Sequence, residues 1–373
     1  MEENQKKKVL YIVTNSDLGG ISKYLLEIIK LLPEDLEPYF IMATPGYLSD
    51  ELKKIGINND NMFFVPMTNS IFDIKTHIEA NKKALEIIKQ IKPDLIHCNA
   101  TTAAIVGAIC GSITKIPTVY TVHGWPFTSG LALWKKFFYR ILEFFMCAVY
   151  KKIICVSEYD RQIGVKALPM YKNKMVTVHN GISDIPDEYK KQEFIEDELK
   201  IVMISRFCPQ KDPYTLISAV NEVNKEGLNV KLDLFGYGPE LDKVKEFIES
   251  KNDKNICYMG EISDVTPILK NYDVYALISI YEGLPIGIIE GMRAGLPVLV
   301  SDVGGNSECI KDNGYLVYRQ DIDDCIEKIR LLWDNRNNIF ELGQNSRKFF
   351  EEEFNINQMS GKTNKLYGEY YEV

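Results

Sequence analysis

Twice along this chain, short β-rich apolar runs alternate with segments of helical period. The run KVLYIVT (8–14) is followed by GGISKYLLEIIKLL, whose Leu25, Ile28, Ile29 and Leu32 share one face. The pattern continues through PYFIMAT, NMFFVPM, a helix over IEANKKALEIIKQI, DLIHCN, a helix over TAAIVGAICGSI, PTVYTVH, an aromatic helix from about Leu131 to Tyr150, KKIICVS and KMVTVHNGI. Strand–helix–strand repetition predicts a parallel sheet covered on both faces, since parallel strands need crossovers and helices supply them.

A polar, acidic, proline-bearing stretch, SDIPDEYKKQEFIEDELK (183–200), interrupts the alternation, which then restarts at KIVMISR and runs to the helix DDCIEKIRLLW. At 373 residues the chain is too long for one compact core. The expected fold class is therefore α/β, with two Rossmann-like doubly wound domains facing across a cleft. Their bounds are 1–182, a linker at 183–198, and 199–355; residues 356–373 form a C-terminal helix expected to cross back to the N-terminal domain. Ligands of such sheets bind outside the carboxyl ends of the strands, so the chemistry belongs in the loops that follow them.

Those loops hold the unusual residues. In ISIYEGLPIGIIEGMRAGLPVLVSD, Glu282 follows a buried-looking strand and Glu290 sits eight residues on, inside an apolar helix that Pro285 opens. Carboxylates in such company need donors. SRFCPQKD places Arg206 at a strand end and Lys211 past a proline turn, a fork and a point charge suited to a diphosphate. Gly19 and Gly20 precede a helix, where free N–H groups attract anions. His123 ends the strand in TVHGWPF and can enter a cleft. Gly236 and Gly238 in LFGYGPE lack the third glycine of a dinucleotide fingerprint and read as a close-packed loop, with Pro239 near the start of a helix. Gly304 and Gly305 precede another helix as a second backbone anion site.

Composition excludes several classes. Residues 1–182 hold 22 Lys+Arg against 17 Asp+Glu, or +5; residues 183–373 hold 22 against 35, or −13; the sum is the net −8. Nucleic acid is not an expected partner, and the basic half points to something anionic. Eight scattered cysteines without a CxxC pair indicate a reduced, cytoplasmic protein. No signal peptide is expected in MEENQKKKVLYIV, and the longest uncharged stretch, Leu95 to Thr114, is too polar to span a bilayer. The one acidic DxD string, Asp321-Ile322-Asp323, begins a late helix and reads as a cap rather than a metal site.

With LGG, HGW, VSE (156–158), HNGI (179–182), SRFCPQKD, FGYGPE, YMGEISD and EGLPIGIIE in place, the chain resembles the family 4 glycosyltransferases of the GT-B fold over nearly its whole length. The resemblance implies a retaining hexosyl- or N-acetylhexosaminyl-transferase that uses a nucleotide-sugar, with UDP-sugars favoured, and no cofactor or essential metal. Arg206 and Lys211 would hold the diphosphate, with Gly20 against it. Glu282 would contact the donor sugar beside the Gly283 and Leu284 N–H groups, Glu290 the ribose, and His123 the sugar and acceptor side. Asp212 stands where many relatives carry a small residue. The style of TVHGWPFTSG is similar to that of bacterial capsule or O-antigen enzymes, which implies a glycan or polyprenyl-diphosphate-linked acceptor. A nucleotide-sugar epimerase and a transferase with a small soluble acceptor stay open as alternatives. LALWKKFFYRILEFFMCAVYKK (131–152), basic and aromatic, reads either as a core helix or as a segment lying in the headgroups of an anionic inner membrane face.

Overall fold

The computed structural model describes residues 6–68, 70–128, 130–192 and 197–370. They form two compact units: one takes in the chain up to Gly181 together with the stretch from Ile356 onward, the other is Ile182–Asn355.

In the first unit the strands are β1 (Lys7–Val13), β2 (Leu36–Met42), β3 (Met62–Phe64), β4 (Leu95–Asn99), β5 (Thr118–Val122), β6 (Lys152–Cys155) and β7 (Met175–Thr177). They pair in parallel in the order β3-β2-β1-β4-β5-β6-β7, with Val9 opposite Pro38 on one side and Leu95 on the other. Val9 through Ile12 have no exposed surface, as expected of a strand covered on both faces. Packed around them are Ile41, Ile96, Cys98, Tyr120, Val122 and Ile153.

The second unit repeats the design with β8 (Leu199–Ile204), β9 (Val230–Phe235), β10 (Ile256–Gly260), β11 (Val274–Leu277), β12 (Val298–Ser301) and β13 (Gly314–Val317), in the order β10-β9-β8-β11-β12-β13. The strand order of each sheet reverses beside its first strand, between β1 and β4 and between β8 and β11. Loops after those four strands diverge and leave room for a ligand.

Short polar side chains start some of the helices. Asp212 accepts from the Thr215 N–H and hydroxyl at 3.3 and 2.6 Å ahead of Pro213–Lys225, which accounts for a carboxylate at that turn. Asp321 accepts from the Asp324 N–H at 2.9 Å, as a cap does. Pro285 falls one step outside its expected place, as the residue before the helix Ile286–Arg293, and Pro239 lies two residues before Leu241–Lys251. The helices Tyr47–Lys54 and Ile339–Phe349, mixed in composition, are additions to the sequence pattern.

The 183–198 stretch is no free spacer where it is described; residues 193–196 lie outside the described residues. Arg293 donates to Ser183 O at 3.0 Å, the Arg347 guanidinium grips Asp184, and buried Lys191 pairs with buried Asp273 at 2.9 Å. Asp184 and Lys191 therefore have charge partners elsewhere in the second unit. The helix Ile356–Gly368 packs in the first unit, where Asn364 donates to Leu31 O at 3.2 Å. No helix among the described residues is long and apolar enough to cross a membrane.

Candidate functional site

In the second unit, the loops after β8 and β11 meet. Asp212 N–H donates to Ile278 O at 3.0 Å and Ile280 N–H to Gln210 O at 2.8 Å, so residues 210–212 run along 278–280 like a short added ladder. That ladder places Lys211 against Glu282: its ammonium donates to Oε1, with the side chains only 14% and 6% exposed. Gln210 Nε2 donates to Glu282 Oε2 at 3.0 Å and to Tyr281 O at 2.9 Å. Sequence reasoning missed Gln210, because an amide in a polar loop carries no motif; its position beside Lys211 was the only signal. Arg206, four residues before Gln210, is exposed and makes no hydrogen bond or ion pair with the described residues.

The glycines shape this loop cluster. Gly236 and Gly238 have φ of 142° and 138°, and a Cβ on them would lie 1.8 Å from Ser205 O and 2.2 Å from Phe207 O. Only glycine lets the 236–238 turn lie on the Arg206 loop. Gly304, at φ 59°, would drive a Cβ to 2.0 Å from Glu282 O. Gly305 differs from its expected role. Its N–H is taken by Gly283 O at 2.7 Å, and Gly304–Cys309 is a short 3-10 turn rather than an α-helix. That donor holds the Glu282–Gly283 loop instead of facing an anion.

Glu290 is buried on the helix Ile286–Arg293. Tyr275 feels both carboxylates: burial first, then Glu290 and Glu282, push its phenol well above the ordinary range. The tyrosine ring fits because Gly287 and Gly291 leave its place open. Leu284 is buried behind this loop. Arg206, Lys211, Glu282, Gly283, Leu284 and Glu290 therefore all sit on the β8/β11 side of one sheet.

Gly19, Gly20 and His123 belong to the first unit. Gly20 begins the helix Gly20–Lys30, and a Cβ on either glycine would meet nothing within 4 Å. Neither glycine is demanded by the chain's own packing. His123 follows β5, and its Nε2–H donates to Asn99 Oδ1 at 3.2 Å, at the end of β4. Burial pushes the His123 pKa down to about 3, so the ring is neutral at pH 7 and Nδ1 keeps its lone pair. The Tyr24 ring stands edge-on to it at 4.7 Å. Tyr24 OH shares Thr121 Oγ1 with His97, at 3.1 and 2.7 Å, and His97 Nδ1 meets Tyr367 OH at 2.6 Å. Asn99 and Tyr24 are further residues that sequence reasoning missed; the end of a switch-point strand was the available clue for Asn99.

The arrangement offers a cation paired with one carboxylate, Lys211 with Glu282, an exposed Arg206 on the same loop as Lys211, and a second carboxylate, Glu290, on the helix that follows Glu282. Among the described residues no three His, Cys, Asp or Glu side chains converge as a metal centre would.

The chain matches the family model described as Glycosyltransferase Family 4 over residues 18–184 and that described as Glycosyl transferases group 1 over 184–349. A curated relative, the UDP-Gal:alpha-D-GlcNAc-diphosphoundecaprenol alpha-1,3-galactosyltransferase of Escherichia coli, is 27% identical over 98% of this chain and 97% of its own. The capsular polysaccharide biosynthesis glycosyltransferase CapM of Staphylococcus aureus is 22% identical over 94% of each. Among solved structures, Anabaena HepE in complex with UDP superposes with a TM-score of 0.80 at 18% identity, covering 97% of this chain and all of that one.

Proposed function

Since this chain belongs to the family 4 glycosyltransferases of the GT-B fold, we propose that it is a retaining transferase that moves a sugar from a UDP-sugar to a lipid-linked glycan acceptor in capsule- or O-antigen-type synthesis. The donor and acceptor classes are supported by the galactosyltransferase relative, whose own name carries a UDP-sugar and a diphosphoundecaprenol. The observation that carries the reading is the Lys211–Glu282 pair at the β8/β11 switch point, with Arg206 exposed in the same loop as Lys211.

Breaking the anomeric bond builds positive charge on the sugar and negative charge on the diphosphate. Fixed cations around the leaving group are worth several kcal/mol in the transition state. Arg206 and Lys211 take the diphosphate; in the first unit, the open space beside Gly19 and Gly20 suits a ligand whose oxygens come close to backbone. When the phosphates engage Lys211, Glu282 is released to accept from a sugar hydroxyl beside the Gly283 and Leu284 N–H groups. Glu290 accepts from the ribose, and neutral His123 offers Nδ1 to a hydroxyl on the sugar and acceptor side.

In this reading the bond from C1 to the phosphate oxygen breaks as the bond from C1 to the acceptor oxygen forms on the same face. The acceptor's proton passes to the leaving phosphate oxygen. No enzymic nucleophile is used, and the two cationic side chains do the work a metal would do.

The test is a panel of nucleotide-sugars scored for thermal stabilisation and, with glycan-diphosphate-lipid added, for transfer, with EDTA present throughout. UDP-sugars should stabilise the protein, and the product should keep the donor's anomeric configuration. Inversion at C1, or activity lost in EDTA and restored by Mn²⁺, would overturn the mechanism. Epimerised donor without transfer would make it an epimerase.

A further inference from the structure

The helix Leu133–Val149 is turned inside out. Trp134, Phe137, Phe138, Ile141 and Phe145 recur at helical spacing on one face, and that face is exposed; Phe137 and Phe145 are 63% and 66% open. The buried face carries Glu143, Met146 and Cys147. An apolar stripe of this size left open marks a binding surface.

The stripe does not end as a flat patch. It forms one wall of a groove of about 460 Å³, whose other wall is Ala167–Met170. That volume lies within the range of small-ligand sites. Among the described residues, the only charged side chain lining it is Arg140. Its Nε and Nη2 both donate to Ala167 O, at 3.1 and 2.8 Å, which fixes the guanidinium at the lip; Nη1 has no partner among the described residues.

Charge selects the occupant. The helix also exposes part of Lys135 and Lys136, and its only acid, Glu143, is fully buried. The Phe72 ring lies against Trp134 and Phe138, and the acids that follow it are engaged: Asp73 caps its own helix through Thr76, and Glu79 pairs with Lys83 at 2.9 Å. The groove thus fits a hydrocarbon chain that ends in an anion.

We propose that this groove holds the isoprenoid chain of the lipid-linked acceptor, with Arg140 on its first phosphate. The inference rests on the lipid-linked reading above and names where the lipid goes. It also gives the exposed aromatic face a purpose: the face lies in the bilayer interface, and the chain leaves the bilayer through the groove.

Equilibrium dialysis with farnesyl phosphate, kept below its micelle concentration, tests it on the full chain. Wild type should bind. Ile141→Ser and Phe145→Ser, both at exposed positions that leave the melting temperature in place, should each weaken binding tenfold or more. Arg140→Ala should weaken farnesyl phosphate but not farnesol. Unchanged affinity in both serine variants, binding equalled by inorganic phosphate, or binding only above the micelle concentration would overturn the proposal. Equal affinity for dodecyl phosphate would assign the groove to ordinary acyl chains and also overturn it. UDP stabilisation, read on the same samples, separates the failures. If UDP binds and farnesyl phosphate does not, the groove assignment alone falls; if wild type ignores UDP, the glycosyltransferase reading falls first.

Discussion

Lys211 and Glu282 are 71 residues apart in sequence, and each is the other's main charge partner in a nearly dry loop cluster. Removing the lysine alone leaves a carboxylate with Gln210 as its one side-chain partner among the described residues. Lys211→Ala should therefore cost about 1–3 kcal/mol of stability, and adding Glu282→Gln should recover most of that. Affinity for UDP should stay low in the double variant, because the phosphate ligand is still missing. Melting curves and UDP titrations on the four proteins of the cycle check this. Additive stability losses would show that the pair is not coupled, and a double variant that binds UDP normally would remove Lys211 from the diphosphate site. The residue types here were legible from the sequence, since cations and acids at strand ends are conspicuous. Their mutual bond was not, because nothing local links positions 211 and 282.

The aromatic helix shows the same limit for a whole element. Its sequence left two orientations open, and the structure turns the aromatic stripe outward and Glu143 inward. Burial pushes the Glu143 pKa up to about 8, although Thr101 and Tyr120 donate to it at 3.1 and 3.3 Å. A carboxyl raised in the folded state binds its proton longer there than when unfolded. Its contribution is full below the unfolded value near 4.5 and is lost as pH rises through about 8. His97 and His123 act in the opposite sense: burial depresses both to about 3, so they cost stability only as pH falls below about 6.5. Between about pH 6.5 and 8 Glu143 acts without opposition from them. Thermal stability should fall across that window, and Glu143→Gln should flatten the fall. A wild-type profile that stays level or rises there would contradict the assignment. A single acid among seventeen helical residues gave no sign of which way it faced; that depended on Thr101 and Tyr120 arriving from other elements.

At the scale of the molecule, charge is divided: +5 over residues 1–182 and −13 over the rest, from the counts given above. The aromatic helix and its cations lie in the basic part. The full chain should co-sediment with phosphatidylglycerol vesicles at low ionic strength and come off as salt is raised, since exposed charges are screened over about 10 Å at 0.1 M. Replacing Lys135 and Lys136 together by Gln should weaken the binding without moving the melting temperature. A protein that ignores anionic vesicles at low salt would return the acceptor to the soluble class. The strand–helix alternation, the break near residue 183 and the placing of charged residues at strand ends were set by the sequence itself, because each depends on neighbours two to four positions away. The tertiary structure decided what depends on distant partners meeting. It turned Gly305 toward Gly283, joined Lys211 to Glu282 and put Tyr367 on His97, 270 residues earlier. It also chose the open face of the aromatic helix, since an amphipathic period fixes that a helix has two faces, and only the packing of the other elements fixes which of them is covered.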